Sequence, residues 1–119
     1  MIKPSDYHKE GFNCAEAIIK AFNENNNTNI PINLGSGMGT GFTIGSTCGA
    51  IGGATVVIGY LKGRENLESP NEARKLTREL INDIREHYGT DMCKELKKNG
   101  VSCAEIIDST YSALERIIK

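Results

Sequence analysis

The chain has 119 residues, a net charge of −1, no tryptophan and 6% aromatic residues. A nucleic-acid surface shows a basic excess or stripe and a base-stacking platform needs aromatic rings, so this composition argues against both. The length suits one domain, residues 1–119, with a core modest enough that bound metal or disulfides would add to its stability.

The opening Met1-Ile2-Lys3-Pro4-Ser5-Asp6 carries no apolar run with a small-residue cleavage site. No apolar stretch reaches membrane-spanning length; the longest, residues 51–61, is short and contains glycines. The sequence therefore predicts a cytoplasmic protein with no membrane insertion. In that compartment cysteines are more often metal-binding or redox-active than structural disulfides.

Residues 4–10 read as a short helix ended by Gly11. Asn13 then caps a helix to about residue 23, with Ala15, Ile18, Ile19 and Phe22 recurring at helical spacing. Asn25-Asn26-Asn27-Thr28-Asn29 reads as a polar loop, and Ile30-Pro31-Ile32-Asn33 as extended chain because of its proline. Gly35-Ser36-Gly37-Met38-Gly39-Thr40-Gly41 predicts a loop with several positive φ angles. It matches no phosphate-binding glycine motif, and no strand precedes it.

A helix over 48–61 follows, apolar on most faces and therefore expected to be buried and central. Its glycines cost helix propensity but remove side chains, so a backbone or a cofactor can come close. Gly45, Gly49 and Gly52, which flank Cys48, are the candidate cofactor-contacting positions. Ser69-Pro70-Asn71-Glu72 opens the next helix with a capping box and a proline, and Ala73, Leu76, Leu80, Ile81, Ile84 and Tyr88 form its buried stripe. Gly89 ends it. Short and long helices over 91–98 and 103–118 complete the chain, the last burying Ile106, Ile107, Tyr111, Leu114 and Ile117. No segment alternates with period two. The expected fold is all-α, a compact bundle of about five helices around a buried glycine-rich central helix.

The four cysteines, Cys14, Cys48, Cys93 and Cys103, each fall where a helix begins. Asn13-Cys14-Ala15-Glu16 and Ser102-Cys103-Ala104-Glu105 are both complete capping boxes. A sulfur in the first turn meets free N–H groups and the positive end of the helix dipole. A dipole effect of roughly 0.3–2 kcal/mol lowers a thiol pKa by on the order of 0.2–1.5, and thiolate is both nucleophile and metal ligand. One cysteine alone is as readily a small core hydrophobe. All four at helix starts point to thiol chemistry or thiolate ligation. No Cys-x-x-Cys is present, so a thioredoxin-type pair and a zinc-ribbon knuckle are absent. Cys93 and Cys103 can meet across the Lys98-Asn99-Gly100 turn. His8 and His87 are isolated and read as surface residues; no Ser-His-Asp set or paired carboxylates are evident.

At Cys48-Gly49-Ala50-Ile51-Gly52 the chain resembles the redox-active protein family named for its C-GCAxxG-C-C pattern, with its Cys-Gly-Ala-x-x-Gly box. The N-terminal cysteine of the pattern is Cys14 in Gly-Phe-Asn-Cys-Ala, the glycine-rich approach spans 35–45, and the two C-terminal cysteines are Cys93 and Cys103. The helix after the box, through Gly59 and Gly63-Arg64, also resembles the family, so the likeness spans nearly the whole chain. It implies redox activity at the cysteines. Related domains occur beside haem modules, where a non-haem iron site has been proposed; without Cys-x-x-Cys-His, covalent haem is not expected here.

The expected function is electron transfer through Cys14, Cys48, Cys93 and Cys103. They would act either by ligating an iron–sulfur cluster or by dithiol/disulfide cycling with an unidentified redox partner, with Cys48 as the attacking thiol because glycines clear space around it. The alternatives are a structural zinc site on the same four sulfurs and a glycine-lined small-ligand pocket beside them. A homodimer is also expected.

Overall fold

The computed structural model describes residues 2–119. Its described residues form six α-helices: α1 (Pro4–Glu10), α2 (Cys14–Asn26), α3 (Gly49–Lys62), α4 (Glu72–Tyr88), α5 (Cys93–Lys98) and α6 (Cys103–Ile117). No strand occurs among them, and the one extended pairing is an isolated antiparallel bridge between Thr47 and Met92. The fold is all-α, as the absence of period-two alternation predicts.

Local chemistry explains most boundaries. Gly11 and Gly89 end α1 and α4 at φ 119° and 80°, the left-handed conformation glycine adopts without a Cβ penalty. Asn13 caps α2 in a complete box: its Oδ1 accepts from Glu16 N–H at 2.9 Å, and Glu16 Oε1 accepts from Asn13 N–H at 2.9 Å. The helix then runs through Asn25 and Asn26, beyond the expected end, to a left-handed Asn27. There Asn25 Nδ2 donates to the Tyr111 hydroxyl and to Ile2 O, so tertiary bonds offset its weak helix propensity.

Three expectations are corrected. Residues 32–35 form a tight 3-10 turn instead of continuing the extended segment. The cap of α4 is Asn71, whose Oδ1 accepts from Arg74 N–H, while Ser69 is drawn into a turn by Asn66. An Asx turn outcompetes the capping box there. At α6, Ser102 Oγ accepts from Glu105 N–H, but Glu105 turns outward to take the Tyr88 hydroxyl at 3.2 Å, so only half of that box forms.

The apolar core joins α2 (Ile18, Ile19, Phe22), α3 (Ile51, Val57, Ile58), α4 (Leu80, Ile84) and α6 (Ile107, Leu114). Helix α3 packs against α2, α4 and α6. Its first six residues are buried, whereas its last turn reaches solvent at Tyr60 and Leu61. The core is thus shared among helices and not organised around α3 alone. Helices α2 and α3 meet closely: a Cβ on Gly53 would lie 2.6 Å from Ala15 O and 2.8 Å from Ala15 Cα. The radius of gyration, 13.4 Å, is that of a compact globule of this length.

Candidate functional site

All four cysteines line one small cavity, together with Gly49, Leu96, Lys97, Val101 and Ile106. Its volume is about 10 Å³, room for one water-sized guest. Cys14, Cys48 and Cys93 are buried and Cys103 is half-buried. Helix starts deliver each sulfur. Cys14, Cys93 and Cys103 are the first residues of α2, α5 and α6, and Cys48 immediately precedes α3 as its cap.

Two tertiary devices bring these starts together. Asn13, having capped α2, donates through Nδ2 to Gly35 O and Ser36 O at 3.1 Å each, tying the glycine loop to the Cys14 end of α2. The Thr47–Met92 bridge does the same for the other pair: Cys48 N–H donates to Asp91 O at 2.8 Å and Cys93 N–H to Ser46 O at 2.7 Å. Asp91 is fixed in turn by Arg85, whose Nε donates to Oδ1 at 2.8 Å.

Burial overrides the expected thiolate character at Cys14 and Cys48. The Cys14 thiol is pushed up to about 12, first by desolvation and then by the neighbouring sulfurs of Cys103, Cys48 and Cys93. At Cys48 desolvation again raises the thiol, and the Ala50 and Ile51 N–H groups on its sulfur pull the other way without winning. The helix-start effect exists at Cys48 but loses to burial. The same burial removes the argument for Cys48 as the attacking thiol, since only 3% of it is exposed.

A pH prediction follows. With Cys14 near 12 against an ordinary 9.0, its thiolate fraction at pH 8 is about a thousandfold below that of the unfolded chain. Its alkylation by iodoacetamide, read by mass spectrometry, should still climb steadily beyond about pH 10; a plateau by about pH 10, as at an ordinary thiol, would contradict the burial argument. Because the folded pKa is raised, the folded chain holds this proton longer. Stability is full below pH 9 and declines between about 9 and 12, by at most about 1.4 kcal/mol per pH unit for one proton.

Of the glycines flagged in sequence, only Gly49 borders the cavity. A Cβ there would lie 2.5 Å from Met38 O, so the space is taken by the glycine loop's own backbone. Gly45 and Gly52 lie elsewhere: Gly45 abuts the Lys94 side chain, and Gly52 faces Met38 and Phe42 in a separate apolar groove of about 300 Å³. The glycine that closes the Cys-Gly-Ala-x-x-Gly spacing from Cys48 is Gly53, the residue pressed on Ala15. Leu96, Lys97 and Ile106 were not placed at the site from sequence, although Ile106 was expected in the core. Their signal was there, since they stand three or four residues after Cys93 and Cys103 on the same helix faces.

The left-handed backbone also falls later than expected. It lies on Thr40, Phe42 and Thr43 as well as Gly41 and Gly45. Each such non-glycine costs on the order of 1–3 kcal/mol, which only surrounding structure can hold.

A sequence profile of the family described as "Putative redox-active protein (C_GCAxxG_C_C)" matches residues 12–117. The chain belongs to this family. The chain's four cysteines, which the family's pattern calls for, are the ones that line the cavity, whereas of its glycines only Gly49 borders it. No curated protein and no solved structure matches the chain. Among the described residues no helix is long and apolar enough to cross a membrane, and no group of three or more His, Cys, Asp or Glu is arranged to hold a metal ion. The donor chemistry, four soft sulfurs, suits zinc or iron. The geometry is not preassembled, and a cluster would have to displace Leu96, Lys97 or Val101 from a cavity of about 10 Å³.

Proposed function

We propose that the cysteine cavity is a thiol–disulfide redox centre entered through Cys103 and resolved by Cys14. The observation that carries this reading is the cavity these two sulfurs share, where Cys14 is buried and Cys103 is half-buried. An attacking thiolate must reach its target, and access selects Cys103. The Cys103 thiolate attacks one sulfur of an external disulfide; that S–S bond breaks and one thiolate leaves. Cys14 then passes its proton to the departing thiolate and attacks the Cys103 sulfur, expelling the second thiolate. Two protein thiols become one disulfide, and the external disulfide becomes two thiols. The cytoplasm, with its thiol and disulfide pool, suits this chemistry.

A second reading rests on the shared cavity itself. Cys14, Cys48, Cys93 and Cys103 would hold iron or zinc. Iron would supply one-electron exchange, with the Ala50 and Ile51 N–H groups tuning it through the Cys48 sulfur. One experiment separates the readings. Anaerobically purified protein is assayed for iron, zinc and acid-labile sulfide, then titrated with glutathione disulfide while thiols are counted and linkages mapped. Thiol loss with a Cys14–Cys103 linkage is the expected result. Stoichiometric iron with sulfide would move the chemistry to a cluster. Stoichiometric zinc with unreactive thiols would make the site structural.

A further inference from the structure

The loop before Cys48 holds the most strained backbone described for the chain, and it leans on a cysteine. Thr40, Phe42 and Thr43 take φ values of 55°, 55° and 69°, on either side of the left-handed Gly41 and ahead of the left-handed Gly45. Threonine, branched at Cβ, resists this region most. What holds the loop is local and specific. Ser46 N–H donates to Gly41 O at 2.8 Å and Ser46 Oγ to the same oxygen at 3.0 Å. Ser46 O accepts from Cys93 N–H. Gly41 sits so close to Cys93 that a Cβ on it would lie 2.5 Å from the Cys93 Cβ. Cys93 therefore cannot shift toward Gly41 without displacing it.

Cys48 and Cys93 each follow one partner of the Thr47–Met92 bridge, which places both on one face of that short ladder. Both sulfurs also line the same small cavity. The loop shows the other consequence on its outer side: Phe42 and Ile44 are 41% and 79% exposed.

We propose that residues 38–46 form a redox latch on Cys93, held in its left-handed conformation while Cys93 is a thiol and released when Cys93 enters a disulfide with Cys48. The proposal rests on the thiol–disulfide reading above. Electrons leave the Cys48/Cys93 pair by exchange with the Cys14–Cys103 disulfide. One thiolate of the buried pair attacks that bond and the other resolves, so the Cys48–Cys93 bond forms and Cys14 and Cys103 return to thiols. Drawing the Cys93 sulfur toward Cys48 shifts its Cβ against Gly41 and turns its N–H away from Ser46 O. The strained residues then relax and re-present Phe42 and Ile44.

Hydrogen–deuterium exchange of the full chain, reduced and after reaction with glutathione disulfide, tests this, with thiols counted in the same samples. The Ser46, Cys48 and Cys93 amides should exchange at least about tenfold faster after oxidation, while α1 and the middle of α6 stay unchanged. The variant C93S should lose the difference. G41A, which forces a Cβ onto both Cys93 and the Ser46 backbone, should exchange fast already when reduced. Thiols consumed with unchanged loop exchange would overturn the latch alone. Thiols not consumed would overturn the redox reading and the latch with it.

Discussion

Replacing Gly53 by leucine is expected to destabilise the protein by about 3 kcal/mol or more, and to lower its melting temperature by roughly 10 °C or more. The reason is what a side chain would meet. Even a Cβ would lie 2.6–2.8 Å from Ala15 O and Cα, which are backbone atoms of α2. A flexible side chain could swing aside; a helix backbone packed on Ile18 and Ile19 cannot. The helices must separate, opening the contact that also sets the Cys14 and Cys48 ends of α2 and α3 beside one another. Gly59→Ala is the matched control on the same helix. Its Cβ would meet nothing within 4 Å, so the gain in helix propensity should stabilise by roughly 0.5–1 kcal/mol. Thermal unfolding followed by circular dichroism reads both. If Gly53→Leu and Gly59→Ala unfold within a degree or two of each other, the close α2–α3 contact is not a constraint.

Cys103→Ser should slow the reaction with glutathione disulfide by roughly a hundredfold, more than any other single cysteine change. Cys103 alone combines a place in the cavity with access to solvent. Cys14→Ser should leave the first step nearly intact but trap the mixed disulfide on Cys103, because the resolving sulfur is gone. Cys48→Ser should leave both steps close to the parent chain. This ranking separates mechanisms, because a metal held by four thiolates predicts similar losses from all four substitutions. Mass spectrometry of the glutathione adduct, with stopped-flow rates, decides it. Equal losses at all four positions would exclude entry through Cys103.

Much of the helical pattern was legible in local sequence. The Asn13 box, the terminating Gly11 and Gly89, and the stripe Leu76, Leu80 and Ile84 act within a few residues of chain, so a linear reading captures them. Ser69 and Glu105 misled it, since each had a nearer or better partner in Asn66 and Tyr88 that competed for the same side chain. For the site, the residue set was readable and the chemistry was not. The four cysteines could be named from their positions at helix starts. The expected thiolate character of Cys14 and Cys48 could not survive an influence that sequence does not carry: how much water each of these sulfurs loses on folding.

What the sequence by itself determined is therefore the all-α class, the family, and the cysteines at the starts of their helices, because capping, periodicity and motif order are short-range properties. Only the tertiary structure decided that those starts converge on one cavity. It also decided that Gly52 and Gly53 serve packing and not the cavity, and that Cys103 is the least buried of the four cysteines. Convergence depends on contacts between distant residues, Asn13 with Gly35 and Cys48 with Asp91, and the protonation of a buried thiol depends on the balance of desolvation against a few N–H groups. Both are properties of the packed chain.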